Sequence, residues 1–182
     1  MKSISTKRVV LNGLIIALVF LATYFTHIPT PLPGGYFNLG DTVIIVAAII
    51  LGERSGMIAG AIGSMLADFA YGGFLFAPIT FVVKGVEGFV VGAIASGIKN
   101  DKSDELRRLF SIIAGVVTMV AGYFIAEATI LRVFDEAFGI AAAISELPAN
   151  LAQGGISAVL GYTLSILLKK VDIKELVKKP GD

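Results

Sequence analysis

A lysine and a glutamate three residues apart, Lys84 and Glu87, interrupt the apolar stretch from Ala77 to Gly92. On a helix that spacing puts both on one face and within reach of each other. A charged side chain near the centre of a bilayer costs about 2.5–3.5 kcal/mol on insertion scales, and ionisable groups there mark ligand sites or ion routes by default. The pair therefore suits polar contact with a small ligand, or a proton relay, or a self-neutralising pair that only orients its helix. Asn150 and Gln153 repeat the spacing of three and offer amides either to a ligand or to a neighbouring helix. Asp41 reads as a helix-start cap or a ligand contact, and Asp68 as a ligand contact or, with Tyr71-Gly-Gly, as a helix end. Glu127 reads as a partner for Lys84 or Arg132.

The elements that must carry these groups follow from composition. Of 182 residues, 55% are hydrophobic and 16% charged, with a mean hydropathy of +0.84, whereas soluble domains carry about 25% charged residues. The chain reads as an integral membrane protein. Without cysteine it has no disulfide, thiolate ligand or cysteine nucleophile, and His27 is its one histidine, so no metal site is expected. A net charge of +1 gives no footprint for nucleic acid. No phosphate-binding loop, H-E-x-x-H or G-x-S-x-G motif occurs, so no catalytic residue and no bound cofactor are expected.

The apolar runs predict an all-α membrane protein, a single domain over 1–182, with six transmembrane helices in a compact bundle at about 9–26, 38–51, 55–70, 76–98, 109–131 and 146–168. The first run is longer than a signal-peptide core and is followed by further spans, so it is expected to be retained. The second, about 20 Å long, is shorter than the ~30 Å hydrocarbon core and must lean on neighbours. Gly56, Gly60 and Ser64, the parallel row Ala59, Gly63 and Ala67, and Gly88, Gly92 and Ser96 are small-residue rows that let helices approach closely in lipid. The stretch Lys99–Arg108 reads as a charged hinge, Arg132–Glu146 as a connection with a short interfacial helix, and Pro148 as part of a first helical turn.

Lys2, Lys7, Arg8, Arg54, Lys99, Lys102, Arg107, Arg108 and the lysines from Lys169 to Lys179 fall on one side of this arrangement, against Arg132 alone on the other. That bias predicts cytoplasmic N- and C-termini. It also places Lys84 about 12 Å and Glu87 about 17 Å below the outer surface, with Asp41, Asp68, Glu127, Asn150 and Gln153 in the same outer half and an apolar inner half. These groups would form an outward-open cavity under a lid from Ile28 to Tyr36, rich in proline and glycine. Tyr36, Phe37, Tyr71, Phe74 and Tyr123 are available there to stack on a flat ligand.

Tyr36-Phe-Asn-Leu-Gly-Asp-Thr42, Gly60-Ala-Ile-Gly-Ser-Met-Leu-Ala-Asp68 and Ala77-Pro-Ile-Thr-Phe-Val-Val-Lys-Gly-Val-Glu-Gly88 resemble the substrate-binding S components of energy-coupling factor (ECF) transporters. The likeness is to the riboflavin-transporter-like branch, which includes proteins assigned to hydroxymethylpyrimidine or pyridoxine. The resemblance implies a plasma-membrane subunit that captures a vitamin from outside and joins a membrane T subunit and two cytoplasmic ATPases, ATP being used only by those partners. Its expected substrate-binding residues are Lys84, Glu87, Asn150, Gln153, Asn38, Tyr36, Asp68, Tyr71 and Glu127. The family's helix-one docking motif, Ala-x-x-x-Ala, is matched here by Gly13 and Ala17. Two rival readings remain: a stand-alone proton- or ion-coupled carrier, and an intramembrane enzyme using Glu87 as a base.

Overall fold

The apolar runs become six α-helices and one short hairpin in a computed structural model that describes residues 6–30, 35–98 and 102–168. Lys2, lid positions 31–34, Lys99 and the lysines from Lys169 onward lie outside the described residues. In chain order the elements are α1 (Thr6–Phe25), β1 (Ile28–Pro29), β2 (Tyr36–Phe37), α2 (Gly40–Leu51), α3 (Glu53–Ala70), α4 (Ala77–Ala95), α5 (Lys102–Ile125) and α6 (Ile140–Leu168). The two described ends of the lid pair as antiparallel strands of a hairpin, Ile28 opposite Phe37 and Pro29 opposite Tyr36. Four helical stretches are long and apolar enough to cross a membrane: α1, α4, Asp104–Val133 and α6. Helix α2, with 12 residues, reaches only about 18 Å.

Helix α3 packs on α1, α2 and α4. Its glycine rows explain how. A side chain at Gly88 of α4 would run into the Gly56 carbonyl of α3, and one at Gly60 into the Lys84 carbonyl, so the two backbones touch along this crossing. The second row faces α1, where a Cβ at Gly63 would lie 2.7 Å from that of Val19. Ser96, the last member of the α4 row, lies past the helix end and is exposed.

Three boundaries differ from the sequence reading. Helix α5 starts at Lys102, so most of the expected hinge is its first turns; Asp104 and Glu105 there suit the positive end of the helix dipole. At its other end the helix gives way to a π-helical turn, Ala126–Ile130, and a 3-10 turn, Leu131–Val133. Helix α6 begins at Ile140, after Gly139 at φ +140°, because the alanine run 141–143 favours helix. Pro148 therefore lies inside α6 and leaves the Ile144 carbonyl without its usual intrahelical donor.

The end of the bundle opposite the hairpin is not wholly apolar as expected. Arg108 is buried there with Nη1 3.1 Å from Glu105 Oε2, and the Tyr162 hydroxyl donates to the same oxygen at 3.1 Å. An apolar layer of Ile45, Ala48, Val91 and Ile112 lies one helical turn from Asp41, Glu87 and Arg108 and separates this cluster from the polar groups near the hairpin.

Candidate functional site

The hairpin, the ends of α3 and α5, the start of α4 and one face of α6 surround a narrow cleft whose empty space, about 350 Å³, includes open solvent. The hairpin side supplies Gly35, Tyr36 and Asn38, and α3 supplies Asp68. Phe76 and Thr80 come from the start of α4, and Tyr123 from α5. Glu146, Asn150 and Gln153 come from α6, at spacings of four and three that keep them on one face. Glu127 reaches the cavity from the π-helical turn; such turns recur at functional sites because the extra residue re-aims the side chains around it.

Six of the expected residues, Tyr36, Asn38, Asp68, Glu127, Asn150 and Gln153, are therefore brought together on one wall system. Lys84 and Glu87 are not on the lining. Lys84 is 2% exposed and Glu87 fully buried, and Lys84 Nζ pairs with Asp41 and lies 3.4 Å from Glu87 Oε2. The expected Lys84–Glu87 contact is present, but Asp41 from α2 completes it as a triad behind the cavity. A charge so placed is costly unless paired and hydrogen-bonded. The Tyr123 ring adds a cation–π contact, its centroid 5.4 Å from Nζ.

Gln153 connects this triad to the lining. Its Nε2 donates to Asp41 Oδ2 at 2.8 Å, while its Oε1 accepts from the Asn38 backbone N–H at 2.8 Å and from Asn38 Nδ2 at 3.2 Å. Asn38 Oδ1 accepts the Gly40 N–H at 2.8 Å, at the start of α2. One amide thus links α6, the hairpin and α2, and holds the carboxylate that holds Lys84. Asp41 serves that pairing and makes no side-chain cap on α2.

The lid is held by aromatic stacking. Tyr24 stacks on Tyr71 at 4.7 Å, Tyr71 on His27 at 3.8 Å and His27 on Tyr36 at 4.2 Å between centroids. The Tyr36 hydroxyl donates to Asp68 Oδ1, and that of Tyr71 to the Tyr24 carbonyl. Tyr71 consequently stands outside the cavity as a clamp between α1, the end of α3 and the hairpin. Phe74 is exposed and packs on Phe69. The turn signal at Tyr71-Gly-Gly is realised: Gly72 has φ +79° and the Gly73 N–H bonds to the Asp68 carbonyl at 2.7 Å.

Glu127 pairs with neither Lys84 nor Arg132, since Lys84 is taken by Asp41 and Arg132 is exposed. It lies close enough to Glu146 for the two charges to repel. The sequence reading leaves Glu146 at the junction of the expected 132–146 connection and the 146–168 helix and gives it no place in the site; its i, i+4 spacing to Asn150 is the available signal. Gly13 and Ala17 are exposed on α1, with nothing within 4 Å of a Cβ at Gly13, while α1 buries only Val19 and Thr23.

The comparisons with known proteins agree with this architecture. A Pyrococcus woesei protein described as an uncharacterized protein in the gap 3′ region is 34% identical over 152 residues, covering 84% of this chain and 95% of its own length. A UPF0397 protein of Lactobacillus helveticus is 28% identical over 175 residues, covering 92% and 86%. The solved structure reported as the S component of a bacterial ECF transporter superposes with a TM-score of 0.65 at 18% identity, covering 94% of this chain and 98% of that one. ThiT from Listeria monocytogenes superposes at 0.61, also at 18% identity, covering 90% and 96%; both likenesses show a shared fold. Residues 3–170 match the family described as ECF-type riboflavin transporter, S component, and the chain belongs to that family.

Proposed function

We propose that this subunit captures a small aromatic vitamin or precursor, pyridoxine or a hydroxymethylpyrimidine, from the outer side of the plasma membrane and delivers it with a T subunit and two ATP-hydrolysing subunits. The observation that carries this reading is the cavity beneath the hairpin. It has ring walls in Tyr36, Phe76 and Tyr123 and a few placed polar groups in Asn38, Thr80, Asn150 and Gln153, the mixture that small-molecule sites use. Family membership supplies the transporter context. In this reading all six helices are membrane-embedded, both termini are cytoplasmic, and the short α2 is carried by α3, α4 and α6, on which it packs.

Asn150 and Gln153 present hydrogen-bonding groups to ring edges, and Asn38 and Tyr36 close over them. Lys84 and Glu87 act from behind, keeping Asp41 and Gln153 in place. The exposed Gly13 and Ala17 face of α1 is the docking row for the T subunit. Within the subunit an apolar layer around Ile45 and Val91 lies between the polar groups of the two ends, which favours delivery by the assembly over a stand-alone ion-coupled carrier.

Purified protein is expected to bind pyridoxine or hydroxymethylpyrimidine without ATP, and mass spectrometry of the co-purifying small molecule identifies the natural ligand. In proteoliposomes the chain alone is expected to give no uptake, and the chain with its T and ATPase partners ATP-dependent uptake. Uptake by the isolated chain, driven by a pH gradient, would overturn the reading.

A further inference from the structure

The charge on the cavity wall points to one feature of the ligand, and this step rests on the vitamin-binding reading above. Three carboxylates line the cavity, those of Asp68, Glu127 and Glu146, and among the described residues no lysine or arginine does. The nearest cation, Lys84, is committed to Asp41 and Glu87 behind the wall. Asp68 is 1% and Glu127 3% exposed; Asp68 Oδ1 accepts the Tyr36 hydroxyl and the Thr80 hydroxyl lies beside that carboxylate, but among the described residues Asp68 Oδ2 and Glu127 Oε2 have no hydrogen-bond donor. A buried acceptor left in that condition is costly and asks for an explanation. The repulsion between Glu127 and Glu146 adds to the cost and is relieved by a positive charge placed beside them. The described residues form no group of three or more His, Cys, Asp or Glu able to hold a metal ion, and the walls beside the carboxylates are aromatic rings and amides.

We propose that the cavity selects a small ring compound bearing a protonated amine, with Glu127 and Asp68 as the groups that accept its N–H bonds. Charge-assisted bonds of this kind are shorter and stronger than neutral ones. A hydroxyl in the same place donates only one weaker bond, so the site discriminates between ligands of nearly equal size by charge.

Two matched pairs test this: pyridoxamine against pyridoxine, and 4-amino-5-aminomethyl-2-methylpyrimidine against its 5-hydroxymethyl counterpart. Each pair exchanges an ammonium for a hydroxyl on one ring. Titration calorimetry of the ligand-free protein in detergent is expected to show the amine of at least one pair binding about tenfold tighter or more. Glu127→Gln is expected to bring that ratio close to one, and Asp68→Asn to reduce it. Because the readout is a ratio within one variant, a general loss of stability does not mimic it. Equal binding within every pair that binds, or a preference that survives both substitutions, overturns this inference and leaves the vitamin-binding function standing. Failure of all four compounds to bind the unsubstituted protein overturns both.

Discussion

Lys84 and Arg108 are each 2% exposed, and each has a glutamate three residues away on its own helix, yet the two ends of the bundle use them differently. Near the hairpin, Lys84 is enclosed by Asp41 and Glu87, both buried, and the Tyr123 ring. At the opposite end Arg108 meets Glu105, whose side chain is 40% exposed. A buried pair cannot lose one member without stranding the other, whereas a pair that reaches solvent is screened. The first is a fixed part of the wall behind the cavity; the second ties α5 to Tyr162 of α6 at the bundle's edge.

Breaking the first should therefore cost most. Lys84→Met leaves two buried carboxylates without their cation and is expected to lower stability by about 3–5 kcal/mol, read as the thermal midpoint of the detergent-solubilised protein. Combining it with Asp41→Asn and Glu87→Gln should recover much of the loss, because neutral groups of similar shape remove the stranded charges. An unchanged midpoint in Lys84→Met would erase the contrast between the two ends.

Packing comes next. Gly88→Val puts a branched side chain against the Gly56 backbone and should cost about 1–3 kcal/mol as overpacking, while Gly13→Val, in open space on α1, should leave the midpoint nearly unchanged. Tyr36→Phe removes one bond to Asp68, worth about 1 kcal/mol; amide exchange in the hairpin is expected to rise roughly fivefold with little effect on global unfolding. Unchanged exchange would show that stacking on His27 alone holds the lid. Smallest of all, Glu105→Gln should cost no more than about 1 kcal/mol. A loss as large as that of Lys84→Met would mean that the two ends are equally buried in practice.

Much of the architecture was legible because hydropathy and small-residue spacing are local properties. The α3 rows through Gly56 and Gly63 were visible, and each found a partner helix. Boundaries were less legible where two local signals competed: the alanine run before Ser145 outweighed Pro148 as the start of α6, and Glu146, at the expected helix boundary, lies well inside it. The π-helical turn carrying Glu127 had no sequence signal, since one extra residue per turn is a matter of how the helix end fits its neighbours. Six of nine expected site residues reach the cavity wall; Lys84, Glu87 and Tyr71 do not, because each finds its partners elsewhere.

By itself the sequence determined that apolar helices would assemble in a membrane with a few isolated polar residues, because insertion energetics depend on each segment alone. It also determined that Lys84 and Glu87 would meet, since the helix repeat sets a three-residue contact. Only the tertiary structure decided that Asp41, 43 residues away, would capture Lys84, and that Gln153 would tie that pair to Asn38. Contacts between helices depend on how each is rotated and how closely it crosses its neighbour. Here the glycine faces of α3 and α4 set that approach, and the hairpin above them sets what remains open to a ligand.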